Sequence, residues 1–248
     1  MAKGKILYRG PSLLDGKPIV VIATIGSKNV KTGNMVQTWI LRDRVSPIQA
    51  VANGGDSSIC GDCKHRGNGD GSGRTCYVTW HIAPQQVWRS FKAGRYSADW
   101  DSQTFAGMFI RLGAYGDPAA VPVEVWDKLV SQSNGWTGYS HQWRNRPQYK
   151  HLLMASVDNE IEYRAARDRG WRTFRIRGEN DSILSGEFMC PASKEAGNKK
   201  LCIQCRACDG NSRGESRGTP VIIVHGNKHN VKHYKTTALT IGGSLAKI

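Results

Sequence analysis

The amino-acid sequence predicts an α/β protein, a partial β/α barrel or an open parallel sheet, with an N-terminal β-hairpin and two cysteine-rich loops. Three observations carry that reading. β-branched runs separated by turn residues fill the first 45 residues, strand-like and helix-like segments alternate through the middle, and all seven cysteines fall in polar, glycine-rich stretches. They divide a single expected domain, 1–248, into a β region at 1–50, a first cysteine loop at 53–80, a β/α core at 105–180, a second cysteine loop at 185–215, and a last strand and tail at 220–248.

In the first region Pro18-Ile-Val-Val-Ile-Ala-Thr and Met35-Val-Gln-Thr-Trp-Ile-Leu flank the turn-rich Gly26-Ser-Lys-Asn-Val-Lys-Thr-Gly-Asn, which predicts a hairpin. Asn53 to Thr75 is too rich in glycine and polar residues for regular structure, and a loop of that length needs its own organiser, such as a metal. Phe109-Ile-Arg-Leu-Gly reads as a strand, followed from about Pro122 by a helix with Val125, Trp126, Leu129 and Val130 on one face. Further strands are expected at Gly135-Trp-Thr-Gly-Tyr-Ser-His, Leu152-Leu-Met-Ala-Ser-Val and Arg172-Thr-Phe-Arg-Ile-Arg. Between the last two, Asp158 stands where an N-cap belongs, ahead of a helix with Ile161, Ala165 and Ala166 that Gly170 ends. Pro220-Val-Ile-Ile-Val-His closes the series as a buried strand.

Repeated strand-then-helix units favour parallel pairing, and such sheets gather functional residues beyond the carboxyl ends of their strands. That rule selects Arg111, Tyr115 and Asp117 after one strand, His141 after the next, then Ser156 and Asp158, and finally His225. An Asp at a helix start is more often a cap than a catalyst, which is the plainer reading of Asp158.

Lys and Arg number 35 against 20 Asp and Glu, a formal net charge of +15, and such a positive field attracts polyanions, nucleic acid first among them. No run of about 18 apolar residues is present, and Met1-Ala-Lys-Gly-Lys lacks the apolar stretch of a secretion signal. The expectation is a soluble intracellular protein with no membrane partner, in a compartment where thiols stay reduced and clustered cysteines are read first as metal ligands.

The cysteines form two groups. Cys60-x2-Cys63 is followed by Cys76, with His65 and His81 as candidate further ligands; Cys190 is followed by Cys202-x2-Cys205-x2-Cys208. A two-residue gap lets two thiolates converge on one centre through a tight turn, as at zinc and iron–sulfur sites. Three thiolates within seven residues resemble the ferredoxin run, with Cys190-Pro191 as a fourth corner, and favour an iron–sulfur cluster of 4Fe-4S type over zinc. At the first group three cysteines would leave one iron open to a substrate or cofactor, whereas a histidine would complete a Cys3His zinc site. A third motif, His225-x3-His229-x3-His233-Tyr234, has helical spacing, but Gly226, Asn227 and Asn230 interrupt it.

The succession Leu7-Tyr-Arg-Gly-Pro-Ser, Ile59-Cys-Gly-Asp-Cys-Lys-His-Arg, Cys76-Tyr-Val, Arg111-Leu-Gly-Ala-Tyr-Gly-Asp-Pro-Ala-Ala-Val-Pro, Thr137-Gly-Tyr-Ser-His-Gln-Trp, Met154-Ala-Ser-Val-Asp, Gly170-Trp-Arg-Thr-Phe-Arg and Cys190-Pro-Ala-Ser resembles a family of largely uncharacterised bacteriophage proteins, at times labelled rolling-circle-replication associated. More distantly, the layout is similar to phage proteins that look like reduced radical S-adenosylmethionine enzymes on a TIM-barrel-like core. That resemblance implies a location in the cytoplasm of an infected bacterial host. It also implies an open-iron cluster at Cys60, Cys63 and Cys76 where S-adenosylmethionine could bind, and an auxiliary cluster at Cys190, Cys202, Cys205 and Cys208. The gaps of two and twelve residues in the first group differ from the Cys-x3-Cys-x2-Cys spacing of those enzymes. Arg111, Tyr115, Asp117, Tyr139 and His141 are then the expected pocket residues, Arg111 offering a fork for a carboxylate or phosphate. The alternative class is a zinc-stabilised nucleic-acid-binding protein of phage replication or host takeover, with Lys and Arg on phosphates and Trp and Tyr stacking on bases.

Overall fold

The computed structural model describes residues 4–26, 29–226, 228, 231, 232 and 234. Three strands, β1 (Gly4–Pro11), β2 (Pro18–Thr24) and β3 (Val36–Arg42), pair antiparallel in sequence order, so the expected hairpin is present as β2 and β3, with Ile22 opposite Trp39. Ile19 to Ala23 are all fully buried. Burial on both faces explains why β2 shows no polar alternation.

β4 (Phe109–Tyr115), β5 (Gly135–Ser140), β6 (Met154–Val157), β7 (Thr173–Arg177), β8 (Glu187–Met189) and β9 (Thr219–Ile223) extend the sheet in parallel. The order is β1-β2-β3-β4-β5-β6-β7-β9-β8, so β1 and β8 are edges and the sheet is open rather than a closed barrel. The strand expected to close the series, β9, lies inside the sheet, because the unforeseen three-residue β8 adds outside it.

Helices α1 (Pro47–Ala52), α2 (Ser57–Cys60) and α3 (Ala83–Lys92) occupy the β3–β4 connection. The helix α4 (Val123–Val130) joins β4 to β5, α5 (Glu160–Asp168) joins β6 to β7, and α6 (Cys202–Cys205) lies between β8 and β9. Alternation along the strands divides the sheet into two faces. Ile110 and Leu112 of β4, with Ala155 and Val157 of β6, join Trp126 and Leu129 of α4 and Tyr163 and Ala166 of α5 in the main core. The other face of β4 and β5 carries Arg111, Gly113, Tyr115, Thr137 and Tyr139.

Two local expectations are corrected. The N-cap of α5 is Asn159, whose side chain accepts from Glu162 N, and not Asp158; the helix buries Tyr163 and Ala166 while Ile161 is exposed. The segment 53–75 is not wholly irregular, since α2 and a 3-10 turn at Lys64–Arg66 fall within it. Both are single turns held from outside: the buried Asp56 carboxylate takes Arg66 at 2.7 Å and Arg74 at 2.6 Å. Such tertiary anchoring has no periodic signature in the sequence.

After β4 the chain turns at Gly116, with φ of 82°, where an added Cβ would lie 2.7 Å from Ile40 Cβ and 3.0 Å from its carbonyl oxygen. Left-handed strain and a backbone clash act together there. Gly116→Ala is expected to lower the unfolding free energy by roughly 2–4 kcal/mol in chemical denaturation.

Candidate functional site

The second sheet face forms the floor of a cavity of about 270 Å³. Arg111, Gly113 and Tyr115 of β4, Thr137 and Tyr139 of β5, Ser156 of β6, Phe174 and Ile176 of β7, and Pro220 and Ile222 of β9 all line it. The period-2 pattern therefore continues from strand to strand as one wall. The connections after β3 and β8 form the roof, and all seven cysteines line the cavity. No disulfide joins any of them.

The first loop is pinned at several points. Asp117 N donates to Ile59 O at 2.6 Å, and Thr75 N and Cys76 N both donate to His65 O, folding the three cysteines back together. Gln142 Nε2 donates to Cys60 O at 3.3 Å and to Asp62 at 2.7 Å, tying the loop to the end of β5. Burial raises the Cys60, Cys63 and Cys76 thiols, and the proximity of Cys60 and Cys76 raises Cys63 further. Three thiolates here would be unstable without a cation to share.

The second loop docks across the sheet. Cys202 N and Ile203 N donate to Lys31 O and Thr32 O of the β2–β3 connection, and Gly138 N of β5 donates to Cys208 O at 3.0 Å. Arg206 takes the left-handed conformation that ends α6 and places its guanidinium 4.4 Å from the Phe109 ring centre. The Tyr139 hydroxyl shares a hydrogen bond with the Cys208 thiol, which burial and the nearby Cys190, Cys202 and Cys205 push upward.

The five residues expected at the strand ends, Arg111, Tyr115, Asp117, Tyr139 and His141, are brought together in this cavity. Arg111 donates to the Tyr77 hydroxyl at 2.6 Å, while its Nε is shielded from solvent without a partner. The Tyr115 hydroxyl is likewise shielded and unpartnered. Burial raises the Asp117 carboxyl to about 6 against the hydrogen bonds it accepts, among them one from His141 N at 2.8 Å. Burial, with His65 beside it, lowers His141 to about 4, so its imidazole is neutral at pH 7.

Asp158 is the residue whose role changes most. Its Oδ1 lies 3.1 Å from His65 Nε2 and its Oδ2 lies 2.7 Å from Lys64 Nζ. Burial opposes its charge, yet His65 and Lys64 hold the carboxyl well below the usual range. His81 is exposed, packs on Trp80 and is not part of the cavity wall. His225 lines the cavity; His229 and His233 lie outside the described residues. Sequence reasoning missed Lys31, Arg74, Tyr77, Phe174, Ile176 and Tyr234 as cavity residues. The alternation Phe174-x-Ile176 facing Tyr139 could have flagged two of them; Lys31, Arg74 and Tyr77 arrive from loops, and Tyr234 from beyond β9.

Fold and site together define an open, mostly parallel α/β protein with a cysteine-ringed cavity on one sheet face. Comparison with protein-family models, curated proteins and solved structures gave no match.

Proposed function

We propose that this chain is an iron–sulfur protein, with Cys60, Cys63 and Cys76 holding a cluster that has one open iron and Cys190, Cys202, Cys205 and Cys208 holding a second. The observation that carries the reading is the convergence of both cysteine groups, far apart in sequence, on one cavity wall. A structural zinc tetrahedron brings sulfurs to about 3.8 Å from one another, given Zn–S bonds near 2.3 Å. Among the described residues three ligand atoms converge within 4.8 Å at His65, His141 and Asp158, whereas no three of the sulfurs do. The thiolates of a cubane cluster approach from outside the cube and stand farther apart, which suits these groups better.

Such clusters supply electron transfer and, at an open iron, a coordination position. The chain's own residues shape what occupies the space between. Arg111 presents a guanidinium to a carboxylate or phosphate, and Tyr115 and Tyr139 close the apolar walls. Asp117 fixes the β5 end by accepting from His141 N. A cofactor carrying an amino-acid carboxylate, such as S-adenosylmethionine, fits that arrangement.

A second reading rests on the net charge of +15: zinc-stabilised binding of nucleic acid in phage replication or host takeover, within the host cytoplasm. Among the described residues no helix is long and apolar enough to cross a membrane. Anaerobic purification with an optical spectrum and analysis for iron, sulfide and zinc separates the two. Brown protein with iron and sulfide is expected; two zinc ions per chain and no iron would reject the cluster reading and leave the second.

A further inference from the structure

The cavity contains a second kind of donor set that the cysteines do not account for. His65 on the first loop, His141 at the end of β5 and Asp158 after β6 offer one ligand atom each, and these lie within 4.8 Å of one another. The two imidazole rings meet edge to face with centroids 5.3 Å apart. His141 Nε2 is shielded from solvent and has no hydrogen-bond partner, an unusual condition for a buried ring nitrogen. We infer that His65, His141 and Asp158 form a mononuclear site for a divalent first-row transition metal, with the remaining coordination positions open to the cavity.

The surroundings match what such a site needs. His65 Nδ1 lies 2.6 Å from Thr75 Oγ1, so with the proton on Nδ1 the threonine accepts it and the Nε2 lone pair turns toward the shared space. Lys64, fixed between Asp158 and Glu162, holds Oδ2 of Asp158 and leaves Oδ1 as a single-oxygen ligand. Asp158 N donates to Glu162 at 2.9 Å, and Tyr234 donates to the Asp158 carbonyl and stacks on His65, fixing the back of the site. His65 and Asp158 are 7% and 8% exposed, whereas His65 and His141 both reach the cavity wall. Two histidines and one carboxylate on one side of the metal leave the other side for substrate or water, the arrangement used by mononuclear iron(II) sites. Nitrogen and oxygen donors of this kind favour hard and borderline ions over a soft one such as Cu(I).

This site does not depend on clusters at the cysteines, because its ligand atoms are nitrogen and oxygen. Mn(II) is the discriminating probe, since thiolates bind it poorly. Titration of the full chain, followed by loss of the free Mn(II) electron paramagnetic resonance signal, is expected to show a single bound ion. His141→Ala and Asp158→Asn should each weaken binding by more than about tenfold, and Thr75→Val by about tenfold. No bound Mn(II) at millimolar concentration, or unaltered binding in a folded His141→Ala or Asp158→Asn chain, would overturn the site and leave His65 and Asp158 as a structural pair.

Discussion

Serine at Cys60, Cys63 and Cys76 together is expected to remove about half of the bound iron and sulfide while the four-cysteine group keeps its share. Serine nearly preserves the shape of cysteine, but its hydroxyl does not ionise in this range and its hard oxygen is a poor ligand for iron in a cluster. The replaced residues lie on loops tied through backbone and side-chain contacts that the substitution leaves in place, notably Asp117 N to Ile59 O and Gln142 to Cys60 O. The fold should therefore survive. A matching variant with serine at Cys202, Cys205 and Cys208 should lose the other half. Metal that binds the native chain also stabilises it, so each variant and the chelated native chain should melt at lower temperature than the loaded protein. Iron retained in full by both variants would sink the assignment of clusters to these thiols.

The sheet was legible in the sequence because its strands are apolar runs bounded by glycine and turn residues. Five of the expected strands coincide with β4, β5, β6, β7 and β9 within a few residues. Parallel pairing followed from the interposed helices α4 and α5. β8 and α6 were not legible, since three and four residues carry no period, and their ordering depends on contacts with β9 and the β2–β3 connection. α3 was missed although Val87 and Phe91 repeat at helical spacing on its buried face. At the site, residue types and gaps pointed to the cysteines, and the strand-end rule found Arg111, Asp117 and His141. The pairing of Asp158 with His65, 93 positions away, could not be read, because the residue also satisfied the local pattern of a cap. The inward alternation Arg111-x-Gly113-x-Tyr115 and Thr137-x-Tyr139-x-His141 was present in the sequence, but it acquires meaning only once β4 and β5 are known to be neighbours in register, Arg111 opposite Thr137.

Arg172→Met is expected to be the most damaging single change outside the cysteines. Arg172 is completely buried, and its guanidinium donates to Asp209 at 2.9 Å, to Gly210 O at 2.7 Å, and to Ala207 O and Gly218 O at 2.8 Å each. Three residues of the second cysteine loop, Ala207, Asp209 and Gly210, together with Gly218 just before β9, thus close on one side chain that immediately precedes β7. Methionine would fill the stem of the space but orphan the buried carbonyls of Ala207 and Gly210 and the part-buried one of Gly218. Asp209 would keep Arg213 and Arg217, so its charge is not stranded. The loss is about 3–5 kcal/mol, the range for breaking one side of a buried ionic network. Because Ala207 adjoins Cys208, the same change should release metal from the four-cysteine group before the sheet unfolds. Metal analysis along a denaturant titration reads both effects. Asp209→Asn, which leaves Arg172 its carbonyl partners, should cost less than Arg172→Met, and the double variant should cost less than the sum of the two. Equal and additive losses would show that the carbonyl contacts contribute little and that the loop is held by its backbone alone.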